Sequence, residues 1–455
     1  MTELFFFAIL LPMKIASSKK SLSGTISVPG SKSHTIRACI FASLAEGTSY
    51  IRNPLPSADG LSATKAIQEI GAQVTIKDDC WEVIGAGKNI HLPANVVDVG
   101  NSGSVLYFLS PICATFSGWS IFTGDESIRT RPVKHLIGAL EQLHCEAYVA
   151  NPQKDAPPLL IKGPICPEEI TTDGRLSQYI SGLMIASTKI KGKLTINLTD
   201  PKEVPYLDMT KGWLESFGIP VSMSSDYKKI EMTGPFEIKA FDRTIPSDWE
   251  AVAFPLIAAL ISDSCVTITN IDFSGSQGDD AIVDVLKNMG ATISLDTEKL
   301  TLTAKKSRLS GNHTINCAGF PDAVPALAVI ACFNEGTTRI EDIGVCRRKE
   351  TDRIEVMKSE LTKLGAEIED GEDFLVIHGH APLTQEGTKN PDFKLHGGTV
   401  ESFHDHRVAM ALACMGLGLD KEEEIIINDA ECCAVSFPNF FEAMNDIGAE
   451  FKQVN

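Results

Sequence analysis

The sequence predicts an α/β (α+β) protein of two domains, each assembled from three copies of one helix–glycine–strand–turn–strand repeat. Three observations carry this reading. One phrase occurs six times along the chain, as Gly71-Ala72-Gln73-Val74, His144-Cys145-Glu146-Ala147, Gly218-Ile219-Pro220-Val221, Gly290-Ala291-Thr292-Ile293, Gly365-Ala366-Glu367-Ile368 and Gly448-Ala449-Glu450-Phe451. The intervals between them are 73, 74, 72, 75 and 83 residues. Each phrase follows a helix-like stretch ending in Leu, Ile, Phe or Met, and five of the six precede a short strand, a polar turn and a second strand, whereas the sixth runs out at the C-terminus. Such a repeat cannot bury its apolar face alone. Finally, 455 residues exceed one typical core, and six repeats divide into two triplets.

Taken in order, residues 23–28 alternate like a strand and run into Pro29-Gly30-Ser31-Lys32-Ser33, after which 36–44 reads as a helix. Further helices are expected at 60–70, 103–114, 132–143, 177–187 and 207–217. The second half repeats the pattern at 249–261, 278–289, 321–333, 352–364, 406–417 and 437–447, with strands such as 194–198, 266–269 and 424–427 between helices. A crossover near Arg243-Thr244-Ile245-Pro246 separates the triplets, giving one discontinuous domain of 13–28 with 245–455 and an inserted domain of 29–244. The polar stretch 382–391 reads as an exposed insertion that lengthens the last interval.

Composition narrows the function. A hydrophobic content of 43% fits a globular protein, and a formal charge of -18 opposes general affinity for nucleic acid while leaving room for a local basic pocket. The twelve cysteines lack the paired spacing of a zinc site, and only Cys432 and Cys433 are adjacent, which fits reduced structural thiols in a cytoplasm. Residues 4–11 are apolar but too short to span a bilayer, and they lack the basic leader and cleavage site of an export signal. Met13-Lys14-Ile15 resembles an ordinary translation start, so 1–12 is read as a spurious or functionless extension, a short apolar helix being the competing reading.

Charged and glycine-bearing phrases recur where a strand turns into a helix. In Pro29-Gly30-Ser31-Lys32-Ser33, exposed amides and a helix start favour an anion, and Lys32 adds full charge. Asn101-Ser102-Gly103-Ser104 opens another helix, and Gly124-Asp125-Glu126-Ser127 leads to Arg129 and Arg131. Arg347-Arg348-Lys349-Glu350-Thr351-Asp352-Arg353 and His404-Asp405-His406-Arg407 also precede helices, and Arg407 in a first turn opposes the helix dipole unless an anion offsets it. Each phrase alone is equally a capped helix with solvated charges. Their repetition points to an anion-binding cleft, with Asp322 and Glu350 among cations as candidates for proton transfer.

From about Ile15 onward the chain resembles the enolpyruvyl transferase family, and within it the 5-enolpyruvylshikimate-3-phosphate synthases. The resemblance rests on Pro29-Gly30-Ser31-Lys32-Ser33 with Arg37, Gly100-Asn101-Ser102-Gly103, Arg131-Pro132, Gln277-Gly278-Asp279, Pro321-Asp322-Ala323, Lys349-Glu350-Thr351-Asp352-Arg353, Asp405-His406-Arg407 and Phe437-Pro438. It implies a two-domain fold, each domain of three βαβαββ units, with the active site in the interdomain cleft. It also implies transfer of the enolpyruvyl group of phosphoenolpyruvate to a hydroxyl of shikimate-3-phosphate. By the same resemblance Lys32, Asp322 and Glu350 are catalytic, and Lys32, Arg131, Arg353 and Arg407 bind phosphoenolpyruvate. Ser33, Arg37, Ser177, Gln178 and Asp322 hold the acceptor, and Asn101, Gly103 and His406 support the site. No metal or redox cofactor is required, and a cytoplasmic monomer with small-molecule substrates is implied, without a membrane or nucleic-acid partner.

Several positions depart from the family pattern. Tyr107 stands where an arginine is usual, Leu176 replaces a serine, Glu203 aligns with a serine, Glu250 falls in a usual pair of serines, and Val435 replaces a lysine. Those serines form the family's pocket for the acceptor's 3-phosphate; leucine donates nothing there, and a glutamate repels phosphate. Hence the second expectation, an enolpyruvyl transferase acting on an acceptor alcohol other than shikimate-3-phosphate, non-phosphorylated alcohols included, and a third, a catalytically degenerate binding relative. The sister activity on UDP-N-acetylglucosamine is disfavoured, because residues 124–132 lack the cysteine that branch uses. An RNA-terminal cyclase-like role is opposed by the acidic balance and by the full transferase motif set.

Overall fold

The computed structural model describes residues 13–454; the reading of residues 1–12 as an extension lies outside the described residues. The chain divides into two compact domains. A terminal domain runs up to Val28 and continues through Trp249–Phe273 and from Asp279 onward, and an inserted domain comprises Pro29–Asp248 and Ser274–Gly278. The boundary expected at residues 244/245 therefore falls at Asp248/Trp249. The reason is packing: Ile245 is fully buried in the inserted domain's core, and Gly30 bridges Ser247.

The helices are α1 (Lys32–Leu44), α2 (Ala58–Gln68), α3 (Gly103–Cys113), α4 (Lys134–Gln142), α5 (Ser177–Ala186), α6 (Val204–Ser216), α7 (Trp249–Ile261), α8 (Ala281–Asn288), α9 (Val324–Cys332), α10 (Arg353–Lys363), α11 (His406–Gly416) and α12 (Phe440–Asp446). They alternate in character. The odd-numbered helices are buried along nearly their whole length, while even-numbered ones such as α8 bury one apolar stripe of Ile282, Val283 and Leu286. In the terminal domain α7, α9 and α11 pack on one another, and in the inserted domain α3 packs against α1 and α5. Gly182 lets α5 approach α3 closely, since an added Cβ would stand 2.0 Å from the Tyr107 carbonyl oxygen.

Among the described residues the strands form six sheets, three in each domain, and all follow one order. In each, two parallel strands lie next to an antiparallel pair, and in four of the six the parallel strands are joined through a buried helix. In one such repeat Val97–Asp98 pairs parallel with Gly118–Thr123, which pairs antiparallel with Leu159–Gly163, and Glu146–Val149 takes the edge. The parallel pair needs a crossover connection, which the buried helix supplies. The sixth repeat does not run out at the C-terminus as its sequence suggests. Lys14–Ser18, from the other end of the chain, pairs antiparallel with both Glu424–Asn428 and Lys452–Val454 and supplies the missing strand. Ser23–Ser27 likewise serves as first strand to Cys265–Thr269, while Ile238–Lys239 and Asp242–Thr244 lie parallel to Ala45–Arg52.

The six-fold phrase has one physical cause. Gly71, Gly218, Gly290, Gly365 and Gly448 all adopt φ between 76° and 104°, and His144, the one non-glycine, has φ 63°. In each case the next residue's N–H donates to the carbonyl five residues back, as from Ala291 to Leu286 at 2.9 Å and from Cys145 to Leu140 at 3.0 Å. This is the left-handed helix end in which one bond satisfies an orphan carbonyl and turns the chain into the following strand. His144 pays a conformational penalty the glycines avoid, and its exposed pair with Glu168 at 2.9 Å offsets little of it. His144→Gly is expected to raise the free energy of unfolding by about 1 kcal/mol, and Gly218→Ala, where the new Cβ meets no neighbour, to lower it by about the same. Urea denaturation of the two variants beside the parent measures both.

Candidate active site

In the inserted domain the expected residues gather at helix starts. Ser31 caps α1, and the Lys32 N–H donates to Asp248 Oδ2 at 3.1 Å, leaving the half-exposed Lys32 side chain on the first turn. One turn on, Arg37 is buried. Its guanidinium donates to Thr210 Oγ1 (2.9 Å), the Ser33 carbonyl (3.1 Å), the Tyr206 carbonyl (3.1 Å) and Ser181 Oγ (3.5 Å), and it lies 4.9 Å from the Phe108 ring centroid. All of these partners are neutral, so burial pushes Arg37 down to about 9, still protonated at neutral pH. Ser102 caps α3 through the Val105 N–H, and Asn101 donates to Asp59 Oδ2 at 3.0 Å. A Cβ on Gly103 would lie 3.9 Å from the Arg131 guanidinium, so Arg131 rests against the start of α3. Beside it Tyr107 donates to the Pro132 carbonyl at 2.6 Å; burial pushes its hydroxyl above the tyrosine range, with Arg131 pulling the other way.

The start of α5 is built differently. Its N-cap position is Leu176, which has no side-chain acceptor. Glu203 Oε2 takes that role, accepting from the Ser177 N–H at 3.2 Å and from Ser177 Oγ at 3.0 Å. Glu203 is 2% exposed, has a left-handed backbone and immediately precedes α6. Gln178 Nε2 donates to Ser104 Oγ at 3.0 Å, which joins the starts of α5 and α3.

In the terminal domain the expected residues form one ionic cluster. Arg353, the first residue of α10, is fully buried, and its guanidinium donates to Asp322, to Glu350 Oε2 at 2.7 Å and to Asp405 Oδ2 at 2.8 Å. Burial alone would lower its pKa, but Asp405, Glu350 and Asp322 together hold it well above the usual arginine value. Asp405 also caps α11 through the Arg407 N–H at 3.0 Å and accepts from Thr351 Oγ1 at 3.1 Å. Arg407, in the first turn of α11, pairs with Glu250 in the first turn of α7 and lies 3.3 Å from Asp322, which leads into α9. Lys349 Nζ lies 3.9 Å from Asp322, and His406 is fully buried. The anion that the sequence required beside Arg407 is thus supplied by the protein's own Glu250.

Sequence reasoning named Glu250 and Glu203 only as departures, and Lys349 and Asp405 only as parts of phrases. Asp405 was findable: an aspartate directly before an apolar helix that carries arginine in its first turn is a cap with a cation to hold. Glu250 was signalled as the one charge in the otherwise apolar stretch of α7. Among the described residues one other group of donor atoms gathers, His404, Asp429 and Glu431, within 4.8 Å of one another. These groups have other contacts already, His404 with Asp429 at 3.8 Å and Glu431 with the Met13 N–H at 2.8 Å.

Two domains of three repeats each, with cations and carboxylates placed at the helix starts, are the architecture of the enolpyruvyl transferases. The model of the EPSP synthase (3-phosphoshikimate 1-carboxyvinyltransferase) family matches residues 16–444, and the chain belongs to that family. A 3-phosphoshikimate 1-carboxyvinyltransferase of Ruminiclostridium cellulolyticum is 37% identical over 442 residues, 97% of this chain and 100% of the relative. One from Acetivibrio thermocellus is 38% identical over 440 residues, covering 97% and 99%. The solved EPSP synthase of Acinetobacter baumannii superposes with a TM-score of 0.79 at 26% identity, over 97% of this chain and 100% of that one. The enolpyruvyl transferase NikO of Streptomyces tendae shares the fold, with a TM-score of 0.78 at 17% identity over 97% and 99%.

The ionic cluster makes a stability prediction. Asp405→Ala removes two contacts to buried Arg353 and the cap of α11 together, and is expected to cost about 3–5 kcal/mol in urea unfolding.

Proposed function

We propose that this chain transfers the enolpyruvyl group of phosphoenolpyruvate to a hydroxyl of shikimate-3-phosphate, releasing inorganic phosphate. The observation that supports it most is the retention of Lys32, Arg131, Asp322, Glu350, Arg353 and Arg407 at helix starts within a family match spanning residues 16–444. A proton adds to C3 of phosphoenolpyruvate, and C2 takes on oxocarbenium character. The acceptor hydroxyl then adds at C2 and gives up its proton. The tetrahedral intermediate loses a proton at C3 and expels phosphate, leaving the enol ether. Each stage needs cations for phosphate and carboxylate, and groups that move protons at two carbons and one oxygen.

In this reading Lys32, Arg131, Arg353 and Arg407 hold the phosphate and carboxylate. Asp322 accepts the acceptor's hydroxyl proton, and Glu350 moves the proton at C3. Ser33, Arg37, Ser177 and Gln178 hold the acceptor, while Asn101, Gly103 and His406 shape the helix starts behind these groups. A monomer acting in the cytoplasm belongs to the same reading, supported by twelve cysteines that all remain free thiols, most of them buried. No helix among the described residues is long and apolar enough to cross a membrane. A second reading, transfer to an acceptor that lacks the phosphate, is supported by the Glu203 carboxylate at the start of α5.

Phosphate release from purified protein given phosphoenolpyruvate and shikimate-3-phosphate tests the main reading. Release with formation of the enol ether, reduced at least ~100-fold in folded Asp322→Asn, is the expected result. Folded protein that binds phosphoenolpyruvate yet releases none would refute it.

A further inference from the structure

We propose that Glu203 sets the acceptor specificity of this chain: its carboxylate competes with an anionic group of the acceptor for the start of α5. The inference rests on the reading that Ser177 and Gln178 hold the acceptor. The N–H groups of a helix's first turn are donors without helical partners, and the helix dipole favours an anion beside them. In α5 these features are joined by the Ser177 hydroxyl, and both Ser177 donors already point to one buried carboxylate oxygen. That carboxylate is a resident anion in hydrogen-bond contact with the place a ligand anion would use.

Three features show that the contact is built in. Leu176 leaves α5 without a capping side chain of its own, so the helix start needs an acceptor from elsewhere. Glu203 is held in a left-handed backbone conformation unusual for glutamate, at φ 50° and ψ 34°, directly before Val204-Pro205 of α6. It is also more deeply buried than a glutamate at a helix start normally is, at 2% exposure. A phosphate ester entering here must either displace a buried carboxylate from the Ser177 donors or sit beside a like charge, and like charges at short range cost several kcal/mol. An uncharged hydroxyl in the same place faces no such opposition, since it can donate to the carboxylate. The acceptor's phosphate therefore contributes little to binding in this chain, and phosphorylated and unphosphorylated forms of one alcohol bind with similar affinity.

Calorimetric titration of the full-length protein and of Glu203→Ser and Glu203→Gln, with shikimate-3-phosphate and with shikimate, tests the proposal without requiring turnover. The parent is expected to bind the two compounds within about tenfold of each other. In Glu203→Ser shikimate-3-phosphate should bind at least ~10-fold tighter, while shikimate changes less than ~3-fold. Glu203→Gln, which keeps a side-chain acceptor for the helix start and removes the charge, should move the same ratio in the same direction. A purely structural role for Glu203 would shift both compounds together, and that result overturns the proposal, as does an unchanged ratio in both variants. If no protein binds either compound, the assignment of Ser177 and Gln178 to the acceptor fails with it. Phosphate release measured in parallel separates the readings: turnover with an unchanged binding ratio leaves the transferase standing and removes Glu203 from specificity.

Discussion

Every repeat depends on one backbone turn, the left-handed residue that ends its second helix. A helix that leaves its last carbonyls unsatisfied against a buried core is costly. The residue at φ between 63° and 104° lets the following N–H reach back five residues and satisfy one of them. The same turn aims the chain into the hairpin that completes the sheet. With the hairpin fixed, the sheet covers one side of the repeat's first helix, and neighbouring first helices cover others, as α7, α9 and α11 do in the terminal domain. Those first helices then have almost no polar face. Their ends are the places where polar chemistry can emerge, which is why Lys32, Gly103, Ser177, Glu250, Asp322 and Arg407 all lie at or next to the starts of odd-numbered helices.

Helix starts carry partial positive charge, and the two domains balance it differently. In the terminal domain Glu250, Asp322, Glu350 and Asp405 surround Lys349, Arg353 and Arg407. Carboxylates outnumber cations there, so a phosphorylated ligand at Arg407 meets a guanidinium already committed to Glu250 and Asp322. The inserted domain instead holds Arg37 among neutral partners. Its buried charge is supported by hydrogen bonds and by the Phe108 ring, without a carboxylate within bonding distance among the described residues. Arg37 is thus held without the carboxylate partners that Arg353 and Arg407 have, and at the start of α5 a carboxylate accepts from Ser177.

Much of this was legible in the sequence. The six-fold phrase was readable because a left-handed position selects glycine strongly enough to leave a mark every 72 to 83 residues. Its one exception, His144, remained visible through the pattern around it. The strand at Lys14–Ser18 was not readable, because nothing local distinguishes it: both strands it pairs with lie more than 400 residues later. The domain boundary was misread by a few residues for a similar reason, since the burial of Ile245 is decided by its partners rather than its neighbours. Among the site residues, those at helix starts could be placed from turn and capping chemistry. The pairing of Arg407 with Glu250 could not, because no spacing rule relates first turns of helices 157 residues apart.

The departures at Leu176 and Glu203 illustrate how structure changes the meaning of a sequence difference. Read singly, leucine at an N-cap removes an acceptor at a cost of about 1 kcal/mol, and glutamate in place of serine adds a charge to a buried position. Read together they are one exchange, in which the acceptor lost at position 176 is restored from position 203 as a charge-assisted bond, the stronger kind. The helix start is satisfied either way, so neither difference implies a failing fold. What does change is the charge left for a ligand, because a serine hydroxyl can donate to an incoming phosphate and a carboxylate cannot. In the proposed reading stability and acceptor recognition are carried by the same oxygen atom, and a substitution that retunes one acts on the other.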